Sequence, residues 1–163
     1  MIQLKICGLT SALDVELCAR AGADALGFIF ADGPRQLAPD DAAPLTAAAP
    51  DDVACVGVFA NSPRELVELA LRRCRLDVLQ FAGDETPEFC GSFGMPTLLT
   101  ARERPPAPDV VQRAHAIGVI ADARSPGLYG GTGRVLDHAI ARRFRDGSPA
   151  PFILAGGLTP ENV

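Results

Sequence analysis

No apolar run in this sequence reaches the about 18 residues that a helix needs to cross a bilayer. The first residues lack the basic region, long apolar stretch and small-residue cleavage site of a secretory leader, so none is read here. Cys7, Cys18, Cys55, Cys74 and Cys90 are odd in number and widely spaced, and no Cys-x-x-Cys pair occurs. The only histidines, His115 and His138, do not supply zinc spacing. Reduced thiols in a cytoplasm fit this pattern. A net charge of −5 argues against a general nucleic-acid surface. It leaves room for a small anionic substrate, because a few arginines and backbone amides in one cleft can set the local field.

What is present suits a single domain. A chain of 163 residues, 48% hydrophobic and 21% charged, can bury a real core. Residues 1–7 read as a strand in which Ile2, Leu4 and Ile6 alternate with Gln3, Lys5 and Cys7. Lys5 and Cys7 therefore share a face. Gly8 breaks the strand, and Ser11 with Asp14 can start a helix. A thiol at a strand tip, two residues from an ammonium, is placed as a reactive cysteine would be. Taken alone it reads more readily as a small apolar filler, which is what most free cysteines are.

Farther along, apolar positions at Leu13, Leu17 and Ala21 predict an amphipathic helix over 11–21, with Gly22 at its end. Asp24–Phe30 is a nearly all-apolar strand of the kind buried on both faces of a parallel sheet. Residues 31–37, with Gly33, Pro34 and Arg35, form a loop. A helix near 38–48 is weakly signalled, since Pro44 would interrupt it. Val53–Phe59 is a third strand, and Ser62, Pro63 and Glu65 mark a capped helix start. Strands follow at Asp77–Phe81, Pro96–Thr100, Gly118–Asp122 and Phe152–Ala155, with helical stretches at 86–90, near 109–117 and through Leu136, Ile140 and Phe144. Thr159-Pro160-Glu161 reads as another helix start.

Strand and helix alternating in this way predict an α/β fold with a parallel sheet. No Gly-x-Gly-x-x-Gly turn follows the first strand, so a dinucleotide site is not indicated. The polar residues gather instead after the C-terminal ends of several strands, where a (β/α)8 TIM-type barrel builds its site. The expectation is one barrel domain over 1–163 with about seven strands, C-terminally incomplete for want of the last βα unit. Candidate chemistry lies at Cys7, at Arg35 after the second strand and at Asp122 at the end of the sixth. Two glycine turns, Gly130-Gly131-Thr132-Gly133 and Gly156-Gly157, would let backbone amides approach an anion.

Lys-Ile-Cys-Gly-Leu-Thr at 5–10, Gly-Ala-Asp-Ala-Leu-Gly-Phe-Ile-Phe at 22–30 and Pro-Arg at 34–35 together resemble phosphoribosylanthranilate isomerase of tryptophan biosynthesis. Val-Gly-Val-Phe at 56–59 with Asn61, Gly-Gly-Thr-Gly at 130–133 and the stretch 153–163 extend the likeness in the same order. The resemblance implies an Amadori rearrangement of N-(5'-phosphoribosyl)anthranilate to an aminodeoxyribulose phosphate. It implies Asp122 as general acid at the ring oxygen and Cys7 as general base at the second sugar carbon. Arg35 would hold the anthranilate carboxylate; Gly156 and Gly157, with Gly131 and Gly133, would help hold phosphate. No metal or organic cofactor is needed, the partner is a small phosphoribosyl substrate, no nucleic acid or membrane is expected, and a homo-oligomer stays open. Lys5 could help Cys7 ionise.

Some residues depart from the family pattern. Phe81-Ala82-Gly83 stands where the family usually carries Leu-His-Gly, and the aromatic that often follows Gly-Gly-Thr-Gly is replaced around Leu136-Asp137-His138. His138 and His115 read as helix-surface residues. The alternative is a non-catalytic barrel fragment or remnant that folds or binds a phosphosugar only with a partner chain. A third reading is a different phosphosugar-binding barrel enzyme, for which the glycine turns would suffice.

Overall fold

The computed structural model describes residues 4–101, 104–122 and 138–159, without the side chain of His138. Within it are two compact units, Met1–Gln80 and Phe81–Val163.

The first unit alternates strand and helix: β1 (Lys5–Cys7), α1 (Ala12–Arg20), β2 (Ala25–Ile29), α2 (Pro39–Ala48), β3 (Ala54–Phe59), α3 (Arg64–Arg73) and β4 (Val78–Phe81), whose last residue opens the second unit. The sheet order is the chain order, and β1 and β3 both pair with β2 in parallel. An unreversed order with a helix on every crossover is the barrel pattern, as against the doubly wound sheet, whose order reverses. Leu26, Phe28, Val56, Phe59 and Leu79 from the strands, and Val15 and Val67 from the helices, are buried. Each such side chain contributes roughly 1.5–3 kcal/mol on burial. The rings of Phe30, just past β2, and Phe59, the last residue of β3, stack with centroids 5.1 Å apart.

One carboxylate device recurs where strands begin. Asp24, immediately before β2, accepts from the Leu4 amide at 2.8 Å, and Asp77, immediately before β4, accepts from the Cys55 amide at 2.7 Å. Each ties the start of one strand to the next, so the register is set at the N-terminal ends and the C-terminal ends are left free for chemistry.

The second unit holds α4 (Pro87–Gly91), β5 (Thr97–Ala101), α5 (Pro108–Arg113), β6 (Ala116–Ala121), α6 (His138–Gly147) and β7 (Phe152–Leu154). Its strands are again parallel and in chain order. Val119 and Ala121 of β6 pack with Phe144, Ile140 and Ala141 of α6, and Phe152 of β7 joins them.

Several elements differ from the sequence reading. Leu13 and Leu17 are 63% and 52% exposed, and it is Val15 that α1 buries. The helix is apolar on both sides, so spacing alone could not choose the inward face. Pro44 lies inside α2 without ending it. Its ring is exposed and it removes one amide from the ladder, while Ala42, Leu45 and Thr46 hold the helix by burial. Pro63, not Ser62, is the cap of helix α3, so the helix opens at Arg64, one residue later than the capping pattern indicated. Helix α5 stops at Arg113, and His115 occupies a left-handed turn (φ 52°) before β6 instead of a helix face. Its carbonyl accepts from the Thr97 amide, where the β5–β6 register also shifts. Leu136 and Pro160-Glu161 lie outside the described residues.

Candidate active site

Cys7 ends β1, as the alternation pattern indicated, and its register partner on β2 is Gly27. The amides of Gly8 and Leu9 both donate to the Gly27 carbonyl, at 2.8 and 3.2 Å, and carry the pairing one step past the strand. Gly27 leaves a hollow here. A Cβ placed on it would stand 2.7 Å from the Cys7 sulfur and 2.9 Å from Lys5 Nζ. The thiol and the ammonium therefore share one face and one space, both half-buried. Lys5 has no ion pair among the described residues.

Arg35 reaches the same corner from the β2–α2 loop. Its Nη1 donates to the Cys7 carbonyl at 2.9 Å. Gly8, at φ +84°, permits this approach, because a Cβ there would fall 2.7 Å from Arg35 Cζ and 2.9 Å from Nε. The first unit thus brings together a thiol, an ammonium and a guanidinium at the C-terminal end of its first strand.

In the second unit Asp122 follows β6 directly, half-buried, and its amide donates to the Ala101 carbonyl at 3.2 Å. Val119 and Ala121 face α6, so strand alternation puts Asp122 on the other face with Ile120. Gly156 and Gly157 follow β7 at φ 91° and 62°, a consecutive left-handed pair that bulkier residues rarely adopt. Gly131 and Gly133 lie outside the described residues. Where the family carries a histidine, Ala82 is buried, and the next amide, Gly83, donates to Glu85 Oε2 at 2.9 Å. Among the described residues no cluster of three or more His, Cys, Asp or Glu could hold a metal ion. No described helix is long and apolar enough to cross a membrane.

Sequence reasoning missed two residues here. Gly27 was read only as part of an apolar strand, because its role depends on the β1–β2 register. Gln36, described below, carried no motif at all.

Parallel strands in chain order, helical crossovers and reactive side chains after the strand ends define a (β/α)-barrel type of protein. A model of the N-(5'phosphoribosyl)anthranilate (PRA) isomerase family matches residues 4–163. The N-(5'-phosphoribosyl)anthranilate isomerase of Geobacter sulfurreducens is 41% identical over 165 residues, covering 100% of this chain and 80% of that protein. The crystal structure of the Thermus thermophilus phosphoribosyl anthranilate isomerase aligns with a TM-score of 0.85 at 34% identity, over 99% of this chain and 80% of that one. A phosphoribosyl anthranilate isomerase in complex with reduced 1-(o-carboxyphenylamino)-1-deoxyribulose 5-phosphate aligns with a TM-score of 0.75 at 27% identity, over 99% and 79%. A dimeric phosphoribosylanthranilate isomerase of Thermotoga maritima, solved as monomers, aligns with a TM-score of 0.76 at 27% identity, over 100% and 79%. This chain belongs to the N-(5'phosphoribosyl)anthranilate isomerase family.

Proposed function

We propose that this chain carries out the isomerisation for which its family is named, with Cys7 and Asp122 as base and acid. The reaction breaks the ring C–O bond and relocates protons, and it needs no external oxidant or reductant. Asp122, as a carboxylic acid, protonates the ribose ring oxygen while the bond from that oxygen to the first sugar carbon opens. Cys7, as thiolate, takes the proton from the second carbon, and the resulting enol form relaxes to the aminodeoxyribulose phosphate. Nothing in this sequence of steps calls for a metal or an organic cofactor. Arg35 holds the anthranilate carboxylate, and amides at Gly156 and Gly157, with those at Gly131 and Gly133, hold the phosphate.

The observation that carries this reading is the corner at the end of β1. A free thiol beside an ammonium that has no ion pair among the described residues, with Arg35 anchored to the Cys7 carbonyl, suits proton abstraction next to an anionic substrate. A filler cysteine would require neither charge. The reading also takes the chain to act in the cytoplasm, which the five unpaired cysteines support. Self-association, as in the dimeric relative, belongs to the same proposal.

The test is turnover of phosphoribosylanthranilate by the purified chain, with Cys7→Ser and Asp122→Asn beside it. Turnover that is lost in both variants, while each keeps its thermal melt, is the expected result. Equal turnover in Cys7→Ser would remove the thiol from the mechanism, and an inert parent would favour the non-catalytic reading.

A further inference from the structure

The β2–α2 loop carries a competitor for the very contact assigned to it. Arg35 is to bind a carboxylate, yet Asp32 stands three residues before it in the same loop. Three residues span at most about 11 Å, and an arginine side chain covers much of that, so Asp32 is within the guanidinium's reach. The two nevertheless do not pair. Arg35 makes no ion pair among the described residues, and its bond to the Cys7 carbonyl occupies one N–H. An arginine has five such donors. Among the described residues the others have no side-chain or backbone acceptor.

Asp32 is held elsewhere. The Gln36 carboxamide nitrogen donates to Asp32 Oδ1 at 3.2 Å and to the Phe30 carbonyl at 3.1 Å. Both partners are pure acceptors, so the amide has one orientation that serves them, and its two hydrogens are both used. The backbone of Gln36 is fixed as well. Its amide closes a turn onto the Gly33 carbonyl at 3.1 Å, the residue bridges to Ile29, and the Leu37 amide donates to the Ile29 carbonyl at 2.8 Å. Gln36 is thus a rigid clamp at the root of the loop, gripping the loop's only carboxylate.

We propose that Gln36 is a positioning residue for Arg35: it keeps Asp32 off the guanidinium and reserves Arg35's remaining donors for the carboxylate of the substrate. This deepens the functional reading above and rests on its assignment of Arg35. Without the clamp, Asp32 becomes an intramolecular mimic of the anthranilate carboxylate, and the ligand must displace it before binding.

The experiment is titration calorimetry with reduced 1-(o-carboxyphenylamino)-1-deoxyribulose 5-phosphate on the parent chain, Arg35→Ala, Gln36→Ala and the double variant Asp32→Asn/Gln36→Ala. Gln36→Ala should weaken binding about two- to fivefold, the range an exposed Asp–Arg pair can impose. The double variant should bind as the parent does, because the competitor has lost its charge. A loop merely loosened by loss of Gln36 would not be rescued by Asp32→Asn. The proposal is overturned if Gln36→Ala binds like the parent, or if the double variant stays as weak as Gln36→Ala. A parent that does not bind the ligand, or an Arg35→Ala that binds equally well, overturns the assignment of Arg35 and this inference with it.

Discussion

Gly27 lies across the β1–β2 ladder from Cys7, and a methyl group on it would stand 2.7 Å from the thiol sulfur. The same methyl would be 2.9 Å from Lys5 Nζ. No carbon sits that close to either atom, so both side chains would have to shift. Gly27→Ala therefore displaces the proposed base. A misplacement of about 1 Å costs on the order of a hundredfold in rate, whereas overpacking costs about 1–3 kcal/mol of stability. We expect kcat to fall by about that factor in a protein that still melts cooperatively. Retention of kcat within a factor of about two would show that the hollow has no part in placing the thiol.

Lys5→Met keeps the aliphatic stem and removes the charge. With no carboxylate paired to Lys5 among the described residues, the nearby thiol is left as the group its charge can favour. Two unit charges about 4 Å apart in water interact by roughly 1 kcal/mol, a factor of about five in an equilibrium. Alkylation of Cys7 by iodoacetamide near neutral pH should slow about fivefold in Lys5→Met. An unchanged alkylation rate would confine Lys5 to packing.

These contacts also mark how far the sequence could be read. The alternation of residues 1–7 put Lys5 and Cys7 on one face, and the order of strands and helices gave the barrel pattern; both rest on local periodicity. The hollow at Gly27 needed the register between strands, which no local pattern encodes. Helix α1 shows the same limit. Leu13 and Leu17 suggested an inward stripe, but Val15 is what packs, since two sides of that helix are apolar enough to qualify. His115 was lost because a left-handed residue ends a helix without any glycine to announce it. Gln36 was invisible for a different reason: its importance lies in whom its amide holds.

The cysteines should separate by reactivity. Cys55, Cys74 and Cys90 are buried, while Cys7 and Cys18 are partly open. Burial pushes the Cys55 and Cys74 thiols up, and it drives Cys90, with Glu85 adding to the effect, from 9.0 to about 12. A thiol whose folded value is raised favours the folded state below its unfolded value and loses that contribution as pH climbs toward the folded one. Stability should therefore decline from about pH 9 upward. Mass spectrometry after brief native alkylation should find Cys7 and Cys18 modified and the buried three intact. Early labelling of Cys90 would contradict its burial.

Arg75 offers a test of what holds the N-terminal ends of the strands. Its Nη2 donates to the carbonyls of Val53 and Pro50 at 2.9 and 3.1 Å and lies 3.2 Å from the Cys55 sulfur. Its Nη1 pairs with Asp51 at 3.2 Å, but Asp51 is fully exposed, so water and salt screen that pair. The Pro50 carbonyl is exposed and also accepts from the Val53 amide, so the part-buried bond to the Val53 carbonyl is the harder one to replace. Arg75→Met should cost about 1–3 kcal/mol in urea denaturation by leaving the part-buried Val53 carbonyl without this donor. Asp51→Asn should cost less than about 1 kcal/mol, and less still in high salt. If Asp51→Asn were as damaging as Arg75→Met, the anchor would be the surface ion pair, and the bridging of the strand entry by the guanidinium would count for little.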